Sequence, residues 1–286
     1  MMLKIPWIRK HINNKKPWQK KLAARTTTNT DRGRPLRLFT DCCGMECIVF
    51  AFIAIALPFI QLGACDNSRA VKRFWEANFK KSKAHENCRW FDDIFNRDMN
   101  EIVSHVNKHG GLDVYASGFP CQSFSSAGSG AGTNTREGTI VYQCIKFIDV
   151  VKPKTFLLEN VTGLLTEHPE ELADMINKLK TVNARGYNVS ATIMNSLDHG
   201  IPQNRSRLYI VGVRKDCQKK QFEFPPAIGH VPISLIHDPL NNKKVFSITF
   251  YTYPSIYLPI SLSLSLSLYI YICMYIYVYM YTHIYI

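Results

Sequence analysis

Charge is missing from the last part of this chain. From Val245 to Ile286 there is no Lys, Arg, Asp or Glu, so that stretch offers no charged binding face. Acids are almost missing from the first part. Residues 1–37 hold eleven Lys/Arg against Asp31 alone, a net +10. Residues 38–244 hold twenty-four Lys/Arg and twenty-one acids, a net +3. The overall +13 is therefore mostly an N-terminal property and not a basic face of a domain. No Cys-x-x-Cys pair occurs among the nine cysteines, and no His cluster has zinc spacing, which speaks against a zinc site. The cysteine count is odd and most cysteines lie in apolar stretches. Reduced, buried thiols in an intracellular protein are expected, Cys121 excepted. The start, Met1 to Lys10, lacks the apolar core of a secretory signal. The apolar run Ile48–Leu57 is too short to span a bilayer.

Three regions follow from composition. Residues 1–35 are basic, polar and threonine-rich, and disorder is the expectation. Within them Lys15-Lys16-Pro17-Trp18-Gln19-Lys20-Lys21 is compatible with a nuclear import signal, a DNA-contacting arm, an organellar transit peptide or a plain solvated tail. Residues 36–240 alternate strand and helix patterns. Strands are expected at 36–39, 59–65, 112–116, 155–158, 189–194 and 208–213, with a further turn at Asp92-Asp93. Helices are expected at 48–57, 68–79, 101–108, 142–151 and 169–180. The last shows Leu172, Met175, Ile176 and Leu179 on one stripe behind Pro169. Such alternation predicts an α/β fold with a doubly wound, mostly parallel sheet.

Chemistry gathers at the ends of these strands. Gly118-Phe119-Pro120-Cys121-Gln122-Ser123-Phe124-Ser125 follows the strand at 112–116 and leads into a glycine-rich loop, Ala127–Gly138. Glu159-Asn160-Val161 follows the strand at 155–158. Gln203-Asn204-Arg205-Ser206-Arg207 precedes the strand at 208–213, and alternation would put Gln203, Arg205 and Arg207 on one side. A nucleophilic Cys, a Glu able to share a proton and two arginines suit an anionic, nitrogenous substrate.

In this order and spacing, Gly118-Phe119-Pro120-Cys121-Gln122, Glu159-Asn160-Val161 and Gln203-x-Arg205-x-Arg207 closely resemble the cytosine-C5 DNA methyltransferases. The likeness covers about residues 36–239 and includes Asp198-His199-Gly200-Ile201-Pro202. It implies a Rossmann-like, S-adenosylmethionine-dependent methyltransferase fold acting on duplex DNA with the base flipped out. By resemblance, Cys121 adds to carbon 6 of cytosine and makes carbon 5 nucleophilic. Glu159 binds N3 and the exocyclic amine and supplies a proton, and Arg205 and Arg207 hold the base edge and a phosphate. Gln122, Ser125 and Gln203 are the implied nucleic-acid contacts, with Ala127–Gly138 as the closing loop. Phe39, Gly44, Asp66, Asp93, Pro120 and Ile140 are the implied cofactor contacts. The family's Phe-x-Gly-x-Gly-Gly loop appears as Phe39-Thr40-Asp41-Cys42-Cys43-Gly44. Asp41 and Cys43 replace two glycines, and a departure from the usual loop shape is expected there. The tRNA-methylating branch of the same superfamily is one alternative, and a non-catalytic remnant that binds nucleic acid or cofactor is another. Nuclear localisation is the expectation, with an organelle as the alternative.

The family's target-recognition region and final Asn motif are not found beyond Pro239. In that place, 241–286 runs into strict Ser-Leu alternation and then Tyr-Ile alternation. A CT repeat read in triplets alternates Ser with Leu, and a TA repeat alternates Tyr with Ile. Residues from about Val245 on are therefore expected to be translated simple-sequence DNA and not a membrane segment. A polypeptide of this composition would be prone to aggregate. Sequencing the mature transcript across the Val245 codons is expected to show a splice junction there. An uninterrupted transcript through the repeat would contradict that origin.

Overall fold

Apolar strand runs and amphipathic helices alternate along the chain and assemble into one seven-stranded sheet. The computed structural model describes residues 34–54, 57–120, 138–199, 203–227 and 229–230. The basic N-terminal stretch, Cys121, Gln122, Ser125, most of the glycine-rich loop and the uncharged C-terminal stretch lie outside the described residues.

The strands are β1 (Leu36–Asp41), β2 (Phe59–Cys65), β3 (Arg89–Phe91), β4 (Val114–Ser117), β5 (Thr155–Asn160), β6 (Tyr187–Asn195) and β7 (Ser206–Arg214). Their spatial order is β3-β2-β1-β4-β5-β7-β6. β1 pairs in parallel with β2 and β4, and β2–β3 and β4–β5 are parallel too. β7 runs antiparallel to both β5 and β6. β1 is buried at all six positions, as a central strand covered on both faces should be.

The helices are α1 (Cys47–Ala54), α2 (Arg69–Asn78), α3 (Met99–Lys108), α4 (Ile140–Val151), α5 (Gly163–Thr166) and α6 (Pro169–Thr181). Two apolar clusters cover the two sides of the sheet. One joins α1 and Trp75 of α2 to Leu36, Phe59, Val211 and Val213. The other joins α3, α4 and α6 to Phe39, Tyr115, Phe156, Leu158 and Ile210. Helices on both faces make the sheet doubly wound, as the alternating pattern predicts. Helix starts follow local chemistry. The Ser68 side chain accepts from the Val71 N–H, Asp98 accepts from Asn100 and Glu101, and Pro169 takes the first turn of α6.

Boundaries moved in ways that matter for the site. β5 runs on through Glu159 and Asn160, and β7 begins at Ser206, so Glu159 and Arg207 are strand residues and not loop residues. β4 covers 114–117 instead of 112–116. At its entrance Asp113 is buried and pairs with Arg34, Arg37 and Lys154. β3 was foreseen only as a turn, since three residues carry too little period to read. Among the described residues, no helix is long and apolar enough to cross a membrane.

Gly63 of β2 faces the Phe39 ring, and a Cβ there would lie 2.2 Å from a ring carbon. That ring is packed against Phe91 and Phe147 and has little room to retreat. Gly63→Ala is expected to cost about 1–3 kcal/mol by overpacking, read from urea denaturation. An unchanged midpoint would show that the ring yields.

Candidate active site

Parallel strands deliver their carboxyl ends to one edge of a sheet, and loops there can converge on a ligand. β1 ends at Asp41, β4 at Ser117 and β5 at Asn160. β7 runs the other way, so its start brings Arg205 and Arg207 to the same edge. A cavity of about 270 Å³ opens there. Thr40, Gly44 and Glu46 wall one side, and Gly118, Glu159 and Arg205 wall the other.

The loop after β1 takes an unusual shape. Positive φ occurs at Cys42 (47°), Gly44 (50°) and Glu46 (57°). Asp41 and Cys43 themselves do not have positive φ; the left-handed positions fall on Cys42 and Glu46 beside them. Asp41 is fully buried and engaged. Arg97 donates from Nη1 and Nη2 to its two oxygens at 2.5 and 2.6 Å, and the Tyr115 hydroxyl donates to Oδ2 at 2.6 Å. The Arg97 guanidinium also sits over the Phe39 and Phe147 rings, at 5.7 and 4.9 Å. Burial opposes its charge, but the Asp41 carboxylate outweighs burial and holds the guanidinium pKa above its ordinary value.

The same loop is tied to β2. The Gly44 N–H donates to Asp66 Oδ2 at 3.0 Å, and the Cys43 N–H donates to the Cys65 carbonyl at 3.1 Å. Asp66 also caps the Ser68 N–H through Oδ1. Glu46 is buried at the base of the loop. Its Oε1 accepts from Thr40 Oγ1 at 2.9 Å and Gln61 Nε2 at 2.7 Å, while its Oε2 is buried with no hydrogen-bond partner. Burial pushes the Glu46 carboxyl up to about 7, against the pull of Gln61, Thr40 and the Cys43 thiol.

Across the cavity, Glu159 meets Arg207, whose Nε lies 3.3 Å from Oε1. Burial raises the Glu159 pKa, and Arg207 and then Arg205 oppose the rise. Burial favours the protonated form and the two cations favour the ionised one, the balance a proton-sharing carboxyl needs. Asn160 Nδ2 donates to the Phe119 carbonyl at 3.2 Å, fixing the backbone between β4 and Pro120.

The structure brings together Gly44, Glu159, Arg205 and Arg207 of the residues singled out from sequence. Gln203 does not line the cavity, and its Oε1 is buried without a partner. Phe39 puts its ring into the core, and its neighbours Thr40 and Asp41 line the cavity instead. Asp93 caps its own turn through the Phe95 N–H and Asn96. Ile140 begins α4 and is packed beside the second cluster, and Pro120 is half-buried at the end of the described β4 loop. Cys121, Gln122 and Ser125 lie outside the described residues.

Glu46, Arg97 and Tyr115 were not foreseen. Glu46 had one signal, a lone acid before a long apolar run; the partners of Asp41 are distant in sequence and had none. Cys65 and Cys144 are buried thiols as expected, while Cys42, Cys43, Cys47, Cys88 and Cys217 are half-buried. Burial raises the pKa of all seven. No group of His, Cys, Asp and Glu among the described residues could hold a metal.

A mostly parallel sheet with helices on both faces and a cavity at its strand ends defines a Rossmann-like methyltransferase fold. Residues 38–252 match the C-5 cytosine-specific DNA methylase family, and the chain belongs to that family. It is 35% identical over 174 residues to the Type II methyltransferase M.FnuDI of Fusobacterium nucleatum, covering 60% of this chain and 47% of that protein. It is 38% identical over 176 residues to M.HaeII of Haemophilus aegyptius, covering 56% and 53%. The chain thus spans about half the length of these curated relatives. The solved structure of Spodoptera frugiperda DNMT2 shares the fold, with a TM-score of 0.54 and 19% identity over 71% of this chain and 60% of that one. Family members use S-adenosylmethionine as methyl donor.

Removing Asp41 leaves a charged Arg97 buried alone. Asp41→Ala is expected to cost about 3–5 kcal/mol in urea denaturation at pH 7. The Asp41→Ala/Arg97→Leu double variant is expected to recover part of that loss. Strict additivity would contradict the pairing.

Proposed function

We propose that the protein transfers a methyl group from S-adenosylmethionine to carbon 5 of a flipped cytosine in duplex DNA. One observation carries this most directly. Glu159, set against Arg205 and Arg207, shares a single cavity with the loop after β1 and with Gly118, three residues before Cys121. Bound S-adenosylmethionine supplies an electrophilic methyl group. Gly44 and Asp66, the loop after β1 and the unsatisfied Oε2 of Glu46 fit a polar, charged cofactor.

In the proposed sequence the Cys121 thiolate bonds to carbon 6 of the base. Glu159, whose pKa burial raises against the pull of Arg207 and Arg205, holds N3 and the exocyclic amine and supplies a proton as electrons move into the ring. Arg205 and Arg207 offset the negative charge that builds on the base edge. Carbon 5 takes the methyl group, its proton then leaves, and the Cys121–carbon 6 bond breaks to restore the ring. Pro120, Ile140, Phe39 and Asp93 are proposed supports of the cofactor pocket, and Gln122, Ser125 and Gln203 are proposed contacts to DNA.

Nuclear localisation belongs to the proposal and rests on the basic stretch Lys15–Lys21, outside the described residues. Its bacterial relatives lend it no support.

Incubation of the full chain with radiolabelled S-adenosylmethionine is expected to label duplex DNA and leave tRNA unlabelled. Glu159→Gln is expected to lower the rate about 10²–10⁴-fold, the usual share of a positioned proton donor. Label in tRNA alone would favour the tRNA-methylating alternative, and no label in either would overturn methyl transfer by this chain.

A further inference from the structure

Glu46 is an acid of the cavity wall with one buried, unsatisfied oxygen. It is 1% exposed and holds a left-handed backbone, φ 57°, which a non-glycine residue adopts at a cost. One carboxyl oxygen is held by Thr40 and Gln61, and Gln61 is held in turn by the Trp75 indole N–H at 3.2 Å. Among the described residues the other oxygen has no hydrogen-bond partner, and the Cys43 thiol is the remaining group that draws the carboxyl pKa down. The titratable groups bearing on Glu46 are the thiols of Cys43, Cys47 and Cys88 and the carboxylate of Asp66, none of them a cation. No salt bridge to Glu46 forms among the described residues; the arginine beside the cavity, Arg205, acts on Glu159 and on the Cys47 thiol next to Glu46. Packing alone would be served as well by a glutamine. A buried acid held in a strained backbone, lacking a cation and set in a cavity wall, fits a positively charged ligand.

We infer that Glu46 makes the cavity prefer the cationic methyl donor over its neutral demethylated product. The inference rests on the proposed cofactor assignment and extends it. S-adenosylmethionine carries a sulfonium, an ammonium and a carboxylate, a net charge of +1 at neutral pH. S-adenosylhomocysteine lacks the sulfonium charge and is neutral overall. A carboxylate with no cation of its own favours the first over the second by Coulomb attraction in a partly desolvated site. Charge lost on methyl transfer would thereby loosen the spent product.

The linkage has a definite sign. Without ligand, burial pushes the carboxyl up to about 7, so that it is partly protonated at neutral pH. A cationic ligand favours the ionised form, so binding the donor expels protons, whereas binding the neutral product does not. The preference for donor over product should therefore grow as pH rises through 7.

Titration calorimetry on the full chain with each ligand tests this, run at pH 7 in phosphate and in Tris, whose ionisation heats differ. The donor is expected to release a measurable fraction of a proton and the product none. Glu46→Gln, which keeps the Thr40 and Gln61 bonds, is expected to weaken donor binding about tenfold, leave product binding unchanged and abolish proton release. If that variant fails to fold, the wild-type donor-to-product affinity ratio is measured from pH 6 to 8.5 and should rise several-fold. Equal proton counts for the two ligands, equal weakening of both, or a flat ratio would overturn the inference alone. Absence of binding by either ligand would overturn the cofactor assignment and this inference with it.

Discussion

The buried pair between Asp41 and Arg97 sets the geometry that the site needs. It joins the end of β1 to the turn before α3, takes in the Tyr115 hydroxyl from β4, and stacks its guanidinium on Phe39 and Phe147. A buried ion pair adds little net stability, because desolvation offsets the attraction, but losing one partner is expensive. Its consequence here is positional. Where the family's loop carries glycine, this chain has an acid, and the acid turns inward onto Arg97. The positive φ values then fall at Cys42, Gly44 and Glu46, and the loop turns back to the carboxyl end of β2 at Asp66.

Two carboxyl groups face that cavity from opposite walls under different rules. Glu159 is raised by burial and checked by Arg207 and Arg205. Glu46 is raised by burial to about 7 and receives only neutral donors. Environment separates the two, as it does wherever one site needs carboxyl groups in different protonation states. The thiols around the loop add no reactive group, because burial holds them neutral.

Much of the fold was legible because its elements obey strong periodicities. The alternation of apolar strands with the α6 stripe predicts the doubly wound sheet, and the ends of β5 and β7 bring Glu159, Arg205 and Arg207 together. β3 was illegible because three edge residues carry no period. Asp41 reads in sequence as a glycine lost from a loop. Its meaning depends on Arg97, fifty-six positions away, and only tertiary contact shows that pairing. Phe39 illustrates the reverse. Its place in a motif suggested a ligand contact, while its ring packs into the core beside Gly63.

The central claim is that Cys121 attacks the base inside the cavity bounded by Glu159 and Arg205. Its most direct test is a duplex carrying 5-fluorocytosine, which cannot lose its carbon 5 substituent after methyl transfer. Mass spectrometry of the full chain incubated with this duplex and S-adenosylmethionine should show a covalent adduct mapping to Cys121, and Cys121→Ser should abolish it. No adduct, or one mapping to another cysteine, would contradict the account.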